Sequence, residues 1–158
     1  MPAFFNMTDY DLDIYSQKDQ AELEDLFREV WDAPFRPEGL HSDLRNIPNI
    51  YQLDRGNFWV LRISGSIIGA VAIKNLGENV AEIKRLAVHP KFRGQGLGTA
   101  LFQHSLDYVD KEGFKAVRLD SIRNPGPAMY LYEKHGFVEI PRYNDNPNAN
   151  IFMELTMS

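Results

Sequence analysis

Arg93, Gly94, Gln95, Gly96, Leu97, Gly98 and Thr99 run consecutively between a strand-like segment and a helix-like one, a setting that suits an anionic ligand. Glycines let the main chain approach an anion with no Cβ in the way. The first N–H groups of the following helix have no partner within it and point outward under a favourable dipole. Arg93 can add a charge-assisted contact and Thr99 a hydroxyl donor. The spacing narrows the ligand further. A dinucleotide fingerprint begun at Gly94 needs its third glycine where Thr99 stands, and one begun at Gly96 needs it where Leu101 stands. A Walker A loop needs a Gly-Lys pair, which the chain lacks. The pattern that remains, R-x-x-G-x-G, is spaced for a pyrophosphate and not for a mononucleotide triphosphate.

The strand-like run before this loop carries Glu82, Lys84 and Arg85, where a buried central strand should be apolar. Either these charges lie at a solvated strand start and pair with each other, or one of them has a chemical task. The chain has no cysteine, which excludes disulfides, thiolate metal sites and a cysteine acyl-enzyme together. If an acyl group moves, direct transfer is favoured. His41, His89, His104 and His135 form no H-x-H or H-E-x-x-H spacing, so no metal is expected. His89 before Pro90 and His135 before Gly136 read as loop and helix-end residues.

Bulk properties bound the partners. With 158 residues, 44% hydrophobic and 25% charged, the chain is long and apolar enough for one domain, residues 1–158, and disorder is not the default. A formal net charge of −5 argues against nucleic acid and is compatible with an amine. The N-terminus lacks a basic n-region, and no apolar stretch approaches the roughly 18 residues of a membrane span, so a soluble, cytoplasmic protein with no membrane partner is expected.

The elements that must position these residues follow from periodicity. Residues 11–15 alternate as a first strand. Ser16 and Asp19 offer a helix start, and Leu23, Leu26, Phe27 and Val30 recur at helical spacing over 18–31. Residues 33–39 break that helix, and 40–47 form a short second one before Pro48. Residues 57–63 and 66–73 flank Ser64 and Gly65 as a hairpin. A further turn over 75–79 leads to a strand over 80–88, which makes an antiparallel meander. A helix over 95–112 presents Leu97, Leu101, Phe102, Leu106 and Val109 on one face and stops at Gly113; a strand over 116–121 follows, parallel to 80–88. A short helix over 127–135 and strands over 137–140 and 151–157 complete the order, the last two joined by a polar loop over 141–150.

With its elements in that order, the chain resembles the GNAT family of N-acetyltransferases. The loop from Arg93 to Gly98 is similar to the family's acyl-CoA pyrophosphate loop, Q/R-x-x-G-x-G/A. Ala128, Leu131, Tyr132, Gly136 and Phe137 match its downstream A-x-x-L-Y-x-x-x-G-F segment. The resemblance covers the chain from about Glu82 onward by motif and the first half by element order. It implies an α/β (α+β) fold in a single domain: a mixed, mostly antiparallel sheet of six or seven strands with one parallel βαβ unit, flanked by about four helices. It also implies acetyl-CoA as cosubstrate, a small-molecule amine as acceptor, and compatibility with a homodimer.

The resemblance assigns residues as well. Arg93, Gly94, Gln95, Gly96, Leu97, Gly98 and Thr99 would hold the diphosphate, and the main chain of Leu86, Ala87 and Val88 the pantetheine arm, with the Leu86 N–H aimed at the acetyl carbonyl. Glu82 matches a glutamate that some members use as general base, directly or through water. Tyr132 matches a tyrosine that acts as general acid on the thioester sulfur. Tyr130, on another face, reads as a core aromatic. The family often has an asparagine that bonds the pantetheine. Asn124 lies eight residues before Tyr132, one more than the commoner spacing. Arg85, Arg142 and Tyr143 either line the acceptor site or lie on the surface.

Other functions compete. Asp120, at the end of the second parallel strand, stands where a ribose-binding acid of a nucleotide-dependent oxidoreductase would lie, but the glycine spacing and the single βαβ unit count against that. A non-catalytic acyl-CoA sensor and a protein or peptide N-acetyltransferase are the remaining alternatives.

Overall fold

Two tight turns in which both central residues have positive φ fold the middle of the chain into a meander. Ser64 (φ 50°) and Gly65 (φ 82°) join β2 (Asn57–Ile63) to β3 (Ser66–Gly77), and Glu78 (φ 54°) and Asn79 (φ 63°) join β3 to β4 (Val80–Val88). Such turns match the twist of the strands they connect. The computed structural model describes residues 9–30, 42–123 and 126–158. A seven-stranded sheet runs through them in the order β1-β2-β3-β4-β5-β7-β6, with β1 (Asp11–Ile14), β5 (Ala116–Ser121), β6 (Val138–Ile140) and β7 (Ile151–Thr156). Only β4 and β5 pair in parallel. This is the mixed, mostly antiparallel fold that the sequence implies.

Helices cover both faces. On one face α3 (Leu97–Lys111) and α4 (Pro127–Lys134) bury Leu101, Phe102, Val109 and Met129 against Val71, Ile83, Val117 and Met153. On the other, α1 (Gln20–Val30) and α2 (Ile47–Ile50) bury Leu23, Phe27 and Ile47 against Phe58, Val60 and Ala72. The α3 stripe positions the glycine loop before it. Each fully buried large apolar side chain contributes about 1.5–3 kcal/mol, which outweighs the roughly 1 kcal/mol that Gly98 costs inside the helix.

The strand that leads into the loop is irregular in two ways. Ala72 faces Lys84 and Ala70 faces Ala87, so Arg85 and Leu86 together stand opposite Val71, a β-bulge. One extra residue exchanges the faces. Glu82 and Lys84 share a face with Ala87, which packs among the α1 and α2 contacts, whereas Leu86 and Val88 turn toward α3. The ladder to β5 also stops early, at Glu82 opposite Arg118, although β4 continues to Val88.

Arg85 adopts φ 58°, a left-handed conformation that costs a non-glycine residue about 1–2 kcal/mol. A bidentate ion pair offsets it. The Arg85 Nε donates to Asp43 Oδ2 at 2.7 Å and an Nη donates to Oδ1, while Tyr51 Oη donates to the same carboxylate at 2.5 Å. The guanidinium lies 5.6 Å over the Phe27 ring. The segment before α2 is therefore tied to the bulge.

Several sequence expectations change. Pro48 does not end a helix over 40–47. A 3-10 turn, Asp43–Arg45, precedes α2, and Pro48 sits in the first turn of α2, where its missing N–H is not needed. Strand β3 continues through Asn75 to Gly77, so the turn is Glu78-Asn79 alone. Tyr130 is 68% exposed and is not a core aromatic. The break over 33–39, Trp31, Leu40 and His41 lie outside the described residues.

Burial raises the Asp43 pKa, but its hydrogen bond with Arg85, the Arg85 charge and the Tyr51 hydroxyl outweigh this and hold the carboxyl below its ordinary value. A depressed carboxyl contributes stability above the unfolded pKa that is lost as pH falls through the folded one. Asp43→Asn is expected to cost about 2–3 kcal/mol at neutral pH. In urea titrations the gap to wild type should close as the pH is lowered below the ordinary carboxylate range. Equal stabilities at neutral pH would show that the pair does not anchor the bulge.

Candidate active site

After β4 the chain makes a 3-10 turn, Pro90–Phe92, and enters the loop through two left-handed glycines, Gly94 (φ 78°) and Gly96 (φ 82°), the latter capping α3. A Cβ built on Gly94 meets no atom within 4 Å, so the glycine is required by its φ and not by crowding. Arg93 Nε donates to the Val88 carbonyl at 3.2 Å, which folds its side chain back over the end of β4. Among the described residues Gln95 Oε1 is buried without a hydrogen-bond partner. The α3 amino end, two left-handed glycines and an unsatisfied buried acceptor fit a ligand that brings a diphosphate and amide N–H groups.

Beside the loop, β4 and β5 diverge beyond Glu82 and Arg118, and Leu86, Ala87 and Val88 lie on the diverging part of β4. Tyr132, on α4, stands across the gap. Its ring packs 5.5 Å from Phe102 and 6.4 Å from Phe137, and its hydroxyl bonds to Ser121 at the end of β5. Burial, opposed by the Ser121 bond and reinforced by the Asp120 charge, raises the Tyr132 pKa, so the phenol keeps its proton at neutral pH. Asn124 lies outside the described residues.

On the sheet face away from α3, alternation brings Glu82 and Lys84 of β4 beside Arg118 and Asp120 of β5. The loop between β6 and β7 closes over them. Tyr143 Oη donates to Glu82 Oε2 at 2.5 Å. Asn144 Nδ2 donates to the same oxygen at 3.3 Å and to Asp120 Oδ2 at 2.7 Å. Lys84 Nζ lies 2.9 Å from Asp120 and 3.6 Å from Glu82. Arg142 braces this loop from within, donating to the carbonyls of Asn144, Asn146 and Ala149 at 3.0–3.3 Å. Of the three acceptor-side candidates, Tyr143 therefore lines the cleft, Arg142 organises its cover and Arg85 anchors the bulge.

The two carboxylates diverge electrostatically. Burial pushes the Glu82 pKa up; Lys84 and Tyr143 pull it part of the way back, and it stays above its ordinary value. Burial acts on Asp120 as well, but its bonds to Lys84 and Asn144 prevail and its pKa falls. Glu82, only 2% exposed, is thus a carboxyl poised to exchange a proton, next to a fixed anion. Tyr143, raised by burial and by Glu82, remains a neutral donor. The structure does not bring Glu82 and Tyr132 into hydrogen-bond contact. The Asp120 charge acts on both. Asp120 is consumed by Lys84, Asn144 and Asn146, which leaves no ribose-binding role for it.

An open cleft of about 440 Å³ lies on this face, lined by Lys74, Glu82, Lys84, Arg118, Tyr143 and Asn144 among others. A larger opening of about 530 Å³, between α1 and the β2–β3 turn, contains none of the candidate residues. Lys74, Asn144 and Asn146 carry no motif signal. Only the alternation of charges at 82 and 84 with 118 and 120 would have pointed to the face they occupy. Among the described residues no helix is long and apolar enough to cross a membrane.

Residues 21–137 match the acetyltransferase (GNAT) family. The chain belongs to the GNAT family. An uncharacterized N-acetyltransferase of Schizosaccharomyces pombe is 36% identical over 124 residues, 77% of this chain and 76% of the relative. Human N-acetylaspartate synthetase is 34% identical over 100 residues, 62% of this chain and 33% of the synthetase, so the match spans about a third of that relative. The fold is shared with an acetyltransferase from Streptococcus agalactiae, with a TM-score of 0.85 at 21% identity over 96% of this chain and 100% of that one. It is also shared with an N-acetyltransferase from Thermoplasma acidophilum in complex with coenzyme A, with a TM-score of 0.72 at 21% identity over 94% and 99%. As a GNAT protein the chain is an acyl-CoA-dependent acetyltransferase.

A raised carboxyl contributes stability below the unfolded pKa that is lost as pH rises through the folded one. Wild type should therefore lose stability relative to Glu82→Gln as pH rises from the ordinary carboxylate range through the raised Glu82 pKa, and the difference should then level off. A pH-independent difference in denaturation midpoints would contradict the raised pKa.

Proposed function

We propose that this GNAT enzyme transfers an acetyl group from acetyl-CoA to the primary amine of a small molecule by direct attack, with Glu82 as general base and Tyr132 as general acid. The observation that carries the proposal is Glu82 itself: a buried carboxyl with a raised pKa, opening on a cleft beside the diverging strands. Isolated burial of such a group is unfavourable and needs a compensating role.

Acetyl-CoA supplies the acyl group already activated as a thioester. The loop from Arg93 to Thr99 holds its diphosphate by main-chain N–H groups, and Leu86, Ala87 and Val88 offer strand-type hydrogen bonds to its arm. The Leu86 N–H serves as donor to the carbonyl oxygen. Glu82 takes a proton from the acceptor nitrogen at Oε1 or Oε2, and Lys84 and Tyr143 stabilise the carboxylate before it does so. Tyr132 holds a proton at Oη for the departing sulfur. The size of the cleft and the name of the N-acetylaspartate synthetase relatives support a small acceptor over a protein.

Glu82→Gln is expected to lower kcat/KM at neutral pH by about 10²–10⁴-fold and to remove the acid limb of the pH profile, with acetyl-CoA affinity spared. Tyr143→Phe removes a hydrogen bond that favours the Glu82 carboxylate, so the acid limb should move to higher pH. Unchanged rates across the pH range in Glu82→Gln would rule out the base assignment.

A further inference from the structure

The cleft beside Glu82 gathers basic side chains in an acidic protein. The chain carries a formal net charge of −5, yet Lys74, Lys84 and Arg118 line the cleft, and among the described residues Glu82 is the only carboxylate that lines it with them. We propose that the acceptor is an amine that also bears a carboxylate, an amino acid or a close analogue, and that Lys74 and Arg118 receive the carboxylate while the amine meets Glu82. The inference rests on the acetyltransferase reading above and adds the chemical class of the acceptor.

The three cations are not equivalent. Lys84 is committed to Asp120 at 2.9 Å, and Asp120 in turn is held by Asn144. Arg118 uses Nε on Glu154 at 2.9 Å, lays its guanidinium 5.1 Å over the Tyr143 ring and lines the cleft. Lys74 is exposed, and among the described residues no carboxylate pairs with it within ion-pair distance. It is also the direct cross-strand partner of Glu82.

That register sets a dimension. Directly opposed antiparallel residues have Cβ atoms about 4.5–5.5 Å apart. The Lys74 ammonium and the Glu82 carboxyl therefore serve two ends of one small molecule whose amine and carboxylate are a few bonds apart. A diamine would instead bring its second ammonium against Lys74 and Arg118, a like-charge contact. The overall negative charge taken alone suits a cationic acceptor, but at the point of attachment Lys74, which no carboxylate pairs among the described residues, favours an anionic group.

The test is a rate comparison of the standard amino acids, their carboxamides and simple diamines with wild type, Lys74→Met and Lys74→Arg. Wild type should prefer an amino acid over its carboxamide and over diamines by about tenfold or more in kcat/KM, as for a hydrogen bond to a charged group. Lys74→Met should reduce that preference about tenfold, and Lys74→Arg should restore most of it, which loss of packing alone would not produce. Preference for carboxamides or diamines in wild type, or an unchanged ratio in Lys74→Met, would overturn the proposal and leave the acetyltransferase reading standing. Failure to acetylate any amine, in protein that binds acetyl-CoA, would overturn the underlying reading as well.

Discussion

Strand β4 keeps its parallel partner for three residue pairs, Val80 to Glu82, and then leaves it. The candidate site residues gather at that parting. A strand that stayed paired would spend its main-chain groups on its neighbour; one that diverges offers them to a ligand. The bulge at Arg85 accompanies the divergence, and its left-handed backbone is held by the Asp43 pair, which reaches in from the segment before α2. The helices on that face therefore do more than cover a core. They hold the conformation that points Leu86 and Val88 toward α3 and leaves Glu82 on the other side.

The two faces at the parting have different tasks. In the proposed reading the α3 face supplies a main-chain cradle, built from a helix amino end and left-handed glycines. The opposite face is a side-chain site, in which Glu82 and Asp120 lie close enough to influence one another. Two neighbouring carboxylates cannot both ionise freely. Here hydrogen bonds decide which one does, because Asp120 takes Lys84, Asn144 and Asn146, and Glu82 is left with the greater burden of burial. The β6–β7 loop thus controls proton affinity at the site as well as covering it.

Much of this was legible in the sequence, and what was not has identifiable causes. The glycine loop, the α3 stripe from Leu97 to Val109 and the turn at Ser64-Gly65 are local signals, and they stand where expected. The charges at Glu82 and Lys84 were visible as an anomaly within an apolar strand, but their partners are distant in sequence. Tyr143 and Asn144 are more than 60 residues from Glu82. No periodicity or motif connects them, and a polar loop reads as exposed until the sheet beneath it is known. Pro48 was misleading for a different reason: proline stops a helix from within but starts one readily, and the sequence pattern alone does not distinguish the two. The bulge left no local trace at all, because Arg85 is an unusual residue for a positive φ and is held there by Asp43.

The central claim is that the diverging end of β4 and the glycine loop together form a cradle for a coenzyme A diphosphate and its arm. Backbone amide NMR of the full chain, titrated with coenzyme A, tests it directly. The account predicts saturable shifts and slowed hydrogen exchange at Leu86, Val88, Gly94, Gly96 and Gly98, with Glu22, Asp25 and Glu29 of α1 unaffected. A folded protein whose loop amides neither shift nor gain protection at saturating coenzyme A would contradict it.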